Sequence, residues 1–462
     1  MNPANFDLIV LGGGSAGYAA ARTVAAAGKT VAIVDGGAEL GGLCILRGCM
    51  PTKALLYAAE VLHLAKAGRT WGLEIPQTGL DFRSVMARKA AMIEDFASFR
   101  RQQLTDDRFA LFRSQARFVD PHTIELADGS RLAGNRFVVA TGSVVTPPPL
   151  PQLTAAGCLT SDDALALTRL PKSMIVLGGG AVAVEFAQMF QRFGVAVTLV
   201  QRSEHILKEF DTDAAEAVEA TLRDEGMRVL CGTRLMDARS TANGKEVVIE
   251  HHGEMLVLQA DKILHALGRS PNTHHLNLEA AGVQADDSGK IVTDESMRTT
   301  APHIYAAGDC ASPYEIVHLA ITQGEVAGHN IVQPDRPRKM DYRLLMSVVF
   351  TDPQVATVGL TEKSAKARGI PFVAASYPFN DHGKSMIMDV KHGAVKLLAD
   401  PETGEILGGG VAGPVGGELI HEVAVAMAAK MTVAQFAAVP HYHPTLAEIW
   451  TYPAEELAEQ IG

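Results

Sequence analysis

No apolar run in this 462-residue chain approaches the roughly 20 residues that a membrane-spanning helix needs. Basic runs are missing too, and the net charge of −11 argues against a nucleic-acid partner. The opening residues, Met1 to Asp7, lack the basic and apolar regions of a secretion signal. Cysteine is scarce: there are five, an odd number, which excludes a disulfide-built scaffold and suits a reducing compartment. The expectation is a cytoplasmic protein with neither a membrane nor a nucleic-acid partner. What is present is a globular composition, 47% hydrophobic and 20% charged, with a mean hydropathy of +0.10. A chain this long divides into two to four domains.

Glycine is abundant, and many of the 43 sit in clusters that resemble phosphate loops rather than linkers. Phe6 to Leu11 reads as a short buried strand, followed by Gly12-Gly13-Gly14-Ser15-Ala16-Gly17 and an alanine-rich helix. A second strand, Thr30 to Val34, ends at Asp35. This is the strand–turn–helix–strand setting in which G-x-G-x-x-G carries meaning: the glycines let backbone approach a pyrophosphate at a helix N-terminus, and the acid holds ribose hydroxyls. The pattern returns 166 residues later, Gly12 recurring as Gly178, Gly14 as Gly180, Gly17 as Ala183 and Asp35 as Gln201. Two such matches in register point to two dinucleotide sites. Asp35 suits an unphosphorylated adenosine ribose, hence FAD in the first site. At the second, neutral Gln201 followed by Arg202 and Lys208 suits a 2′-phosphate, hence NADPH, with NAD as the alternative if those cations are merely solvated.

Between the fingerprints, Gly41 to Lys53 contains Cys44 and Cys49, separated by four residues. One turn brings such a pair within disulfide reach. Pro51 reads as the first residue of the helix that continues through Lys53, since its missing N–H costs nothing there. Cys49 then lies beside a helix N-terminus, which favours its thiolate. Half of a zinc site is the competing reading, but no second pair at ligand spacing accompanies it, so no metal is expected. Cys158, Cys231 and Cys310 read as small buried hydrophobes.

These segments resemble the flavoprotein disulfide reductases, the class I pyridine nucleotide-disulfide oxidoreductases, along nearly the whole chain. The redox segment is similar to the family's G-G-x-C-x4-G-C-x-P-x-K pattern. Val138 to Ser143, His265 to Asn272, Ile304 to Asp309 and Val349 to Pro353 are similar to further family segments, and His441 to Glu448 to the H-x-H-P-T-x-x-E signature. The resemblance implies an α/β fold with two Rossmann-like dinucleotide-binding domains and a C-terminal α+β dimerisation domain. It divides the chain into an FAD segment (1–150), a NAD(P) segment (151–267), a central segment completing the FAD domain (268–338) and an interface segment (339–462). FAD contacts fall to Gly12, Gly14, Gly17, Asp35, Gly42, Ala116, Thr141, Gly142 and Asp309. Contacts to NADP fall to Gly178, Gly180, Ala183, Gln201, Arg202, Lys208 and Gly268.

The resemblance also assigns chemistry. Cys49 faces the flavin and Cys44 exchanges with the substrate. His443, oriented by Glu448, is the acid–base partner and serves the other subunit of a homodimer. Lys53 pairs with Glu185 beside the flavin. His441 is supporting or incidental. The expected activity moves electrons between NADPH, FAD, the Cys44–Cys49 disulfide and an external small-molecule or protein-bound disulfide, a lipoyl group among them. A dihydrolipoamide dehydrogenase using NAD, a mercuric-reductase-like metal-ion reductase and a non-catalytic redox sensor or assembly subunit are the alternatives. Gln201 counts against the first. The intact Cys44–Cys49 pair and His443–Glu448 dyad count against the last. Against mercury stand the lack of vicinal cysteines in the tail from Glu455 to Gly462, an expected lack of an N-terminal metal module, and that same dyad. Three local departures from the family are Ala181 where several members carry an aromatic, Leu46-Arg47 between the cysteines, and Ser15 with Arg22, which resemble positions lining a glutathione site.

Overall fold

The structure, a computed structural model, describes residues 4–462; the first three residues of the N-terminal reading lie outside the described residues. The chain forms two compact units, each built from three separate stretches.

The first unit comprises Met1–Thr52, Met86–Pro147 and Gly268–Met340. Its seven-stranded sheet is parallel around the strand Ala4–Leu11, which pairs with Val31–Val34 on one side and Arg131–Val139 on the other. Val31–Val34 reads as a continuous apolar run because both faces of a parallel sheet are covered. An antiparallel flap, Ala116–Asp120 and Thr123–Leu126, extends the sheet beyond Arg131–Val139. The strand Ile304–Ala306 also pairs with Arg131–Val139 in parallel. The core gathers Ile9, Phe118, Phe137, Ile304 and Cys310. The helices Ser15–Ala25 and Val317–Val332 cross closely: a Cβ on Gly324 would run into Ala16 O.

The second unit comprises Lys53–Val85, Pro148–Leu267 and Asp341–Gly462. It holds a four-stranded parallel sheet centred on Ser173–Leu177 and Ala196–Val200. An antiparallel meander, Thr233–Thr241, Gly244–His251 and Glu254–Ala260, packs its apolar face over Ile175 and Leu177. A five-stranded antiparallel sheet covers the C-terminal part, with Trp450, Phe379 and Ile420 in its core. Among the described residues no helix is long and apolar enough to cross a membrane.

Candidate redox and nucleotide sites

The first fingerprint behaves as its glycines require. Gly12 has φ +103°, and a Cβ there would strike Ala140 O; a Cβ on Gly17 would strike Gly12 O. Gly14 differs, since a Cβ on it would meet only Gly42 Cα, at 4.0 Å. Gly12 and Gly17 therefore close the strand–helix packing, and Gly14 faces open space, as a phosphate cradle requires. Gly14 also caps the helix Ser15–Ala25, whose first turn carries no acid and no side-chain cap. Its backbone N–H groups remain available to an anion. Asp35 sits at the strand end, with Oδ2 accepting from Gly13 N–H at 2.8 Å and Oδ1 from Gly37 N–H at 2.9 Å. A carboxylate retains lone pairs for ribose hydroxyls after two such bonds.

Thr141 and Gly142 follow the strand Arg131–Val139. Gly142 has φ +71°, its carbonyl accepts from Asn272 N–H at 2.9 Å, and Asn272 Nδ2 donates to Thr141 O at 3.3 Å. Thr141 Oγ1 is buried with no conventional hydrogen-bond partner, lying by the Cys310 thiol. Asp309 Oδ2 accepts from Ser143 Oγ at 2.7 Å, and Arg269 Nε donates to that same Oγ at 2.8 Å. Gly268, with φ +115°, precedes Arg269 and accepts from Thr146 N–H at 3.1 Å. Ala116 is a core residue of the antiparallel flap.

The cysteines lie on two consecutive helices of the same segment. Cys44 is on the five-residue turn Leu43–Arg47, and Cys49 begins the helix Cys49–Lys66. That start is two residues earlier than the sequence indicates. Pro51 occupies the third helical position, which is tolerated because N–H groups throughout the first turn lack intrahelical partners. Both cysteines are half-buried. Of the other three only Cys310 is buried; Cys158 and Cys231 are half-buried, where the sequence suggests buried residues. Desolvation still pushes Cys310 up to about 11 and Cys231 up to about 12, and raises Cys158 as well. Arg100, which sequence reading missed, has buried Nε and Nη1 without hydrogen-bond partners, and its guanidinium stacks on Tyr18 at 4.5 Å. Burial pulls its pKa down, while Tyr18 and Cys44 oppose that. Arg22 is tied to Glu325 in an exposed ion pair.

One turn beyond Cys49 on the same helix, Lys53 Nζ reaches Glu185 Oε2 at 2.8 Å. Glu185 belongs to the helix Ala181–Arg192 and is 4% exposed in its side chain. Its Oε1 accepts from Phe350 N–H at 2.9 Å, and Lys53 Nζ stands 4.6 Å above the Phe350 ring. The charge is thus compensated twice, as burial requires. Phe350 carries no sequence signal beyond its family segment.

The second fingerprint repeats the first. Gly178 has φ +118°, with Ala266 O where a Cβ would go, and the buried Ala183 packs where the first copy has Gly17. Gly180 opens onto empty space. Gln201 ends the strand Ala196–Val200 and lies against Gly179, where a Cβ would come within 2.8 Å of Gln201 Cδ. Arg202 is exposed and makes no ion pair among the described residues. Lys208 follows Leu207, whose N–H donates to Gly179 O at 2.7 Å, and it pairs loosely with Glu209 at 3.5 Å.

His443 Nδ1 donates to Glu448 Oε1 at 2.8 Å, with Oε2 at 3.0 Å. That bond holds the Glu448 carboxyl below its usual range and fixes the His443 tautomer, leaving Nε2 free to exchange a proton. His443 is 74% exposed in its side chain. His441 is engaged elsewhere, with Nε2 at 2.6 Å from Glu422 Oε1. The carboxylates of Glu225 and Asp352 converge with His63 at metal-ligand spacing, but Arg192, 5% exposed, donates to both acids and supplies the cation itself.

The family model for pyridine nucleotide-disulphide oxidoreductases matches residues 6–324, and that for their dimerisation domain matches residues 345–454. The chain belongs to this family. As a pyridine nucleotide-disulphide oxidoreductase it uses FAD and NAD(P)H, and both nucleotide cradles fit that chemistry. A dihydrolipoyl dehydrogenase of Thermus scotoductus is 36% identical over 98% of this chain and 98% of its own length. A mercuric reductase of Lysinibacillus sphaericus is 32% identical over 97% of this chain and 82% of its own. The HOCl-induced flavoprotein disulfide reductase RclA of Escherichia coli superposes with a TM-score of 0.86 at 26% identity, covering 97% of this chain and 99% of that one.

Proposed function

We propose that this oxidoreductase is a cytoplasmic homodimer that transfers electrons from NADPH to an external disulfide through the Cys44–Cys49 pair. The observation that carries the reading is the pair itself: two cysteines on consecutive helical turns, in a chain that also carries one cradle ending in Asp35 and another ending in Gln201-Arg202. The chain then divides into the segments 1–150, 151–267, 268–338 and 339–462. When bound, FAD supplies the two-electron relay between the nicotinamide and the cysteines.

The protein's own groups carry the rest. The Cys44 thiolate attacks one sulfur of the substrate disulfide, forms a mixed disulfide and releases one thiolate, which takes a proton from His443. The Cys49 thiolate then attacks Cys44 Sγ, restores the Cys44–Cys49 bond and releases the second thiolate, which is protonated from solvent. Glu448 keeps His443 in the required tautomer throughout. Lys53, held in place by its ion pair with Glu185, provides an ammonium group where electrons arrive. The high exposure of His443, beside the 83%-exposed Tyr442, suits a group that completes the site across a dimer.

A neutral Gln201 followed by the exposed Arg202 favours NADPH over NADH, since the acid that holds a free ribose 2′-hydroxyl is missing. For the substrate, the relatives' names offer lipoyl groups and metal ions, and one solved structure of RclA is a Cu(II) complex. Anaerobic titration of the purified protein with NADPH and with NADH tests the reading. A long-wavelength thiolate–flavin band, absent from Cys49→Ser, is expected; a wild type that reduces fully without that band refutes the Cys44–Cys49 assignment. Faster reduction by NADH overturns the cofactor preference. Turnover with lipoamide, glutathione disulfide, Hg(II) and Cu(II) then separates the substrates, and light scattering checks the dimer.

A further inference from the structure

His382 lies between the short turn Phe379–Asp381 and the helix Gly383–Ile387 and is 1% exposed. Its Nδ1 is 2.8 Å from the Oγ of the fully buried Ser385. Its Nε2 is buried and makes no hydrogen bond, yet it faces Glu448 Oε2 at 3.8 Å. The ring is held in this orientation by packing. It meets Tyr452 edge-on at 6.2 Å, and Tyr452 stacks on Tyr377 at 3.9 Å. Tyr377 Oη in turn donates to Asp381 at 3.2 Å. The titratable groups around His382 are therefore Glu448 and His443 from the C-terminal segment, Tyr452 from the helix Thr451–Ile461, Tyr377 from the strand Val373–Pro378 and Asp381 from its own turn.

A sealed imidazole nitrogen without a partner carries an uncompensated desolvation cost. Burial lowers the pKa of His382, with Glu448 opposing, which favours the neutral ring with one N–H. Placing that proton on Nδ1 would aim the Nε2 lone pair at a carboxylate. Placing it on Nε2 aims a donor there and lets Ser385 Oγ donate to Nδ1. The second arrangement leaves one carboxylate, Glu448, between two imidazoles. The gap of 3.8 Å exceeds hydrogen-bond length by less than a side-chain adjustment.

We propose that His382 is a positioning residue for the His443–Glu448 dyad, its Nε2–H closing on Glu448 when His443 is neutral and withdrawing when His443 is protonated. The inference rests on the acid–base role of His443 proposed above. A carboxylate shared with a second donor supports the imidazolium less, so His382 keeps His443 a weaker base than the dyad alone would make it. Losing the donor raises the proton affinity of His443 by about half a unit to one unit.

The test uses the NADPH-reduced holoenzyme and iodoacetamide, with the alkylation rate of the exchange thiol followed across pH. A coupled thiol–imidazole pair titrates with two apparent pKa values, and the upper one reports proton loss from the imidazolium. His382→Phe keeps an aromatic ring without a donor and is expected to raise the upper value by about half a unit to one unit. His382→Gln keeps an N–H donor and is expected to stay near the wild type. An unchanged upper value in His382→Phe, or the same shift in both variants, overturns the proposal. Should His382→Phe not fold, Ser385→Ala carries the same readout: an upward shift supports the proposal and an unchanged value overturns it. In His443→Gln the upper step should vanish. If it persists there, the acid–base reading of His443 has failed, and the proposal fails with it for that separate reason.

Discussion

Lys53 Nζ and Glu185 Oε2 are 2.8 Å apart, but the two partners are not equally exposed: the lysine side chain is 31% accessible and the carboxylate 4%. The pair is therefore asymmetric. Water can solvate the ammonium group alone, whereas Glu185 alone would keep only Phe350 N–H. Lys53→Met is expected to destabilise the protein by about 3–5 kcal/mol, because it strands a buried charge. Glu185→Gln is expected to cost about 1–2 kcal/mol, since an amide still accepts from Phe350 N–H. Urea denaturation of the two variants against the wild type measures the difference; the reverse order would contradict the asymmetry.

Gly14 and Gly17 separate fold from cofactor binding. Gly17→Ala drives a methyl group into Gly12 O and should abolish the folded flavoprotein. Gly14→Ala meets nothing nearer than 4.0 Å, so the chain should fold while the methyl group fills the phosphate cradle. The expected outcome for Gly14→Ala is a normal circular dichroism spectrum with a low flavin content.

The proposed preference for NADPH rests on Arg202, whose side chain is exposed and simple to remove. Arg202→Ala is expected to raise KM for NADPH roughly 10-fold to 100-fold, the equivalent of one or two charge-assisted hydrogen bonds, with KM for NADH little changed. Gln201→Glu should shift preference the other way by restoring an acid at the ribose. Steady-state diaphorase kinetics with both nucleotides would show it.

Acid stability should carry the signature of Glu448. Its folded pKa is depressed, chiefly by the bond from His443. The associated stabilisation is therefore complete above the unfolded carboxyl value near ~4.3 and disappears as pH falls through the folded value. Denaturant midpoints of the wild type and Glu448→Gln should differ at neutral pH and converge below about pH 4. A gap that persists into strong acid would point to packing rather than ionisation.

Much of this was legible in the chain because glycine is obligatory where backbone touches backbone. Gly12 and Gly178 need positive φ and a neighbour's carbonyl in the place of a Cβ, so both fingerprints stand out. The Lys53–Glu185 pair spans 132 residues and was readable only through family resemblance. Arg192 looks like an ordinary helix charge, yet it is buried between Glu225 and Asp352, and no local pattern announces that. His382 is harder still: its orphaned nitrogen depends on Glu448, 66 residues away, within a stretch that has no motif. The start of the helix at Cys49 rather than Pro51 was misread because proline is tolerated throughout a first turn, not at one position.

The strand Ile304–Ala306 has a consequence for how the protein is made. It pairs with Arg131–Val139 from a point in the chain more than 160 residues later, and the helix Val317–Val332 must then close on Ser15–Ala25. A ribosome therefore releases the whole stretch between them before the first sheet can be completed. The Gly12–Gly17 turn precedes that interval, whereas Asp309, bonded to Ser143, arrives only after it. Flavin capture should thus be a late event in biogenesis, and a nascent chain arrested before Ile304 should expose an unfinished sheet edge that chaperones can recognise.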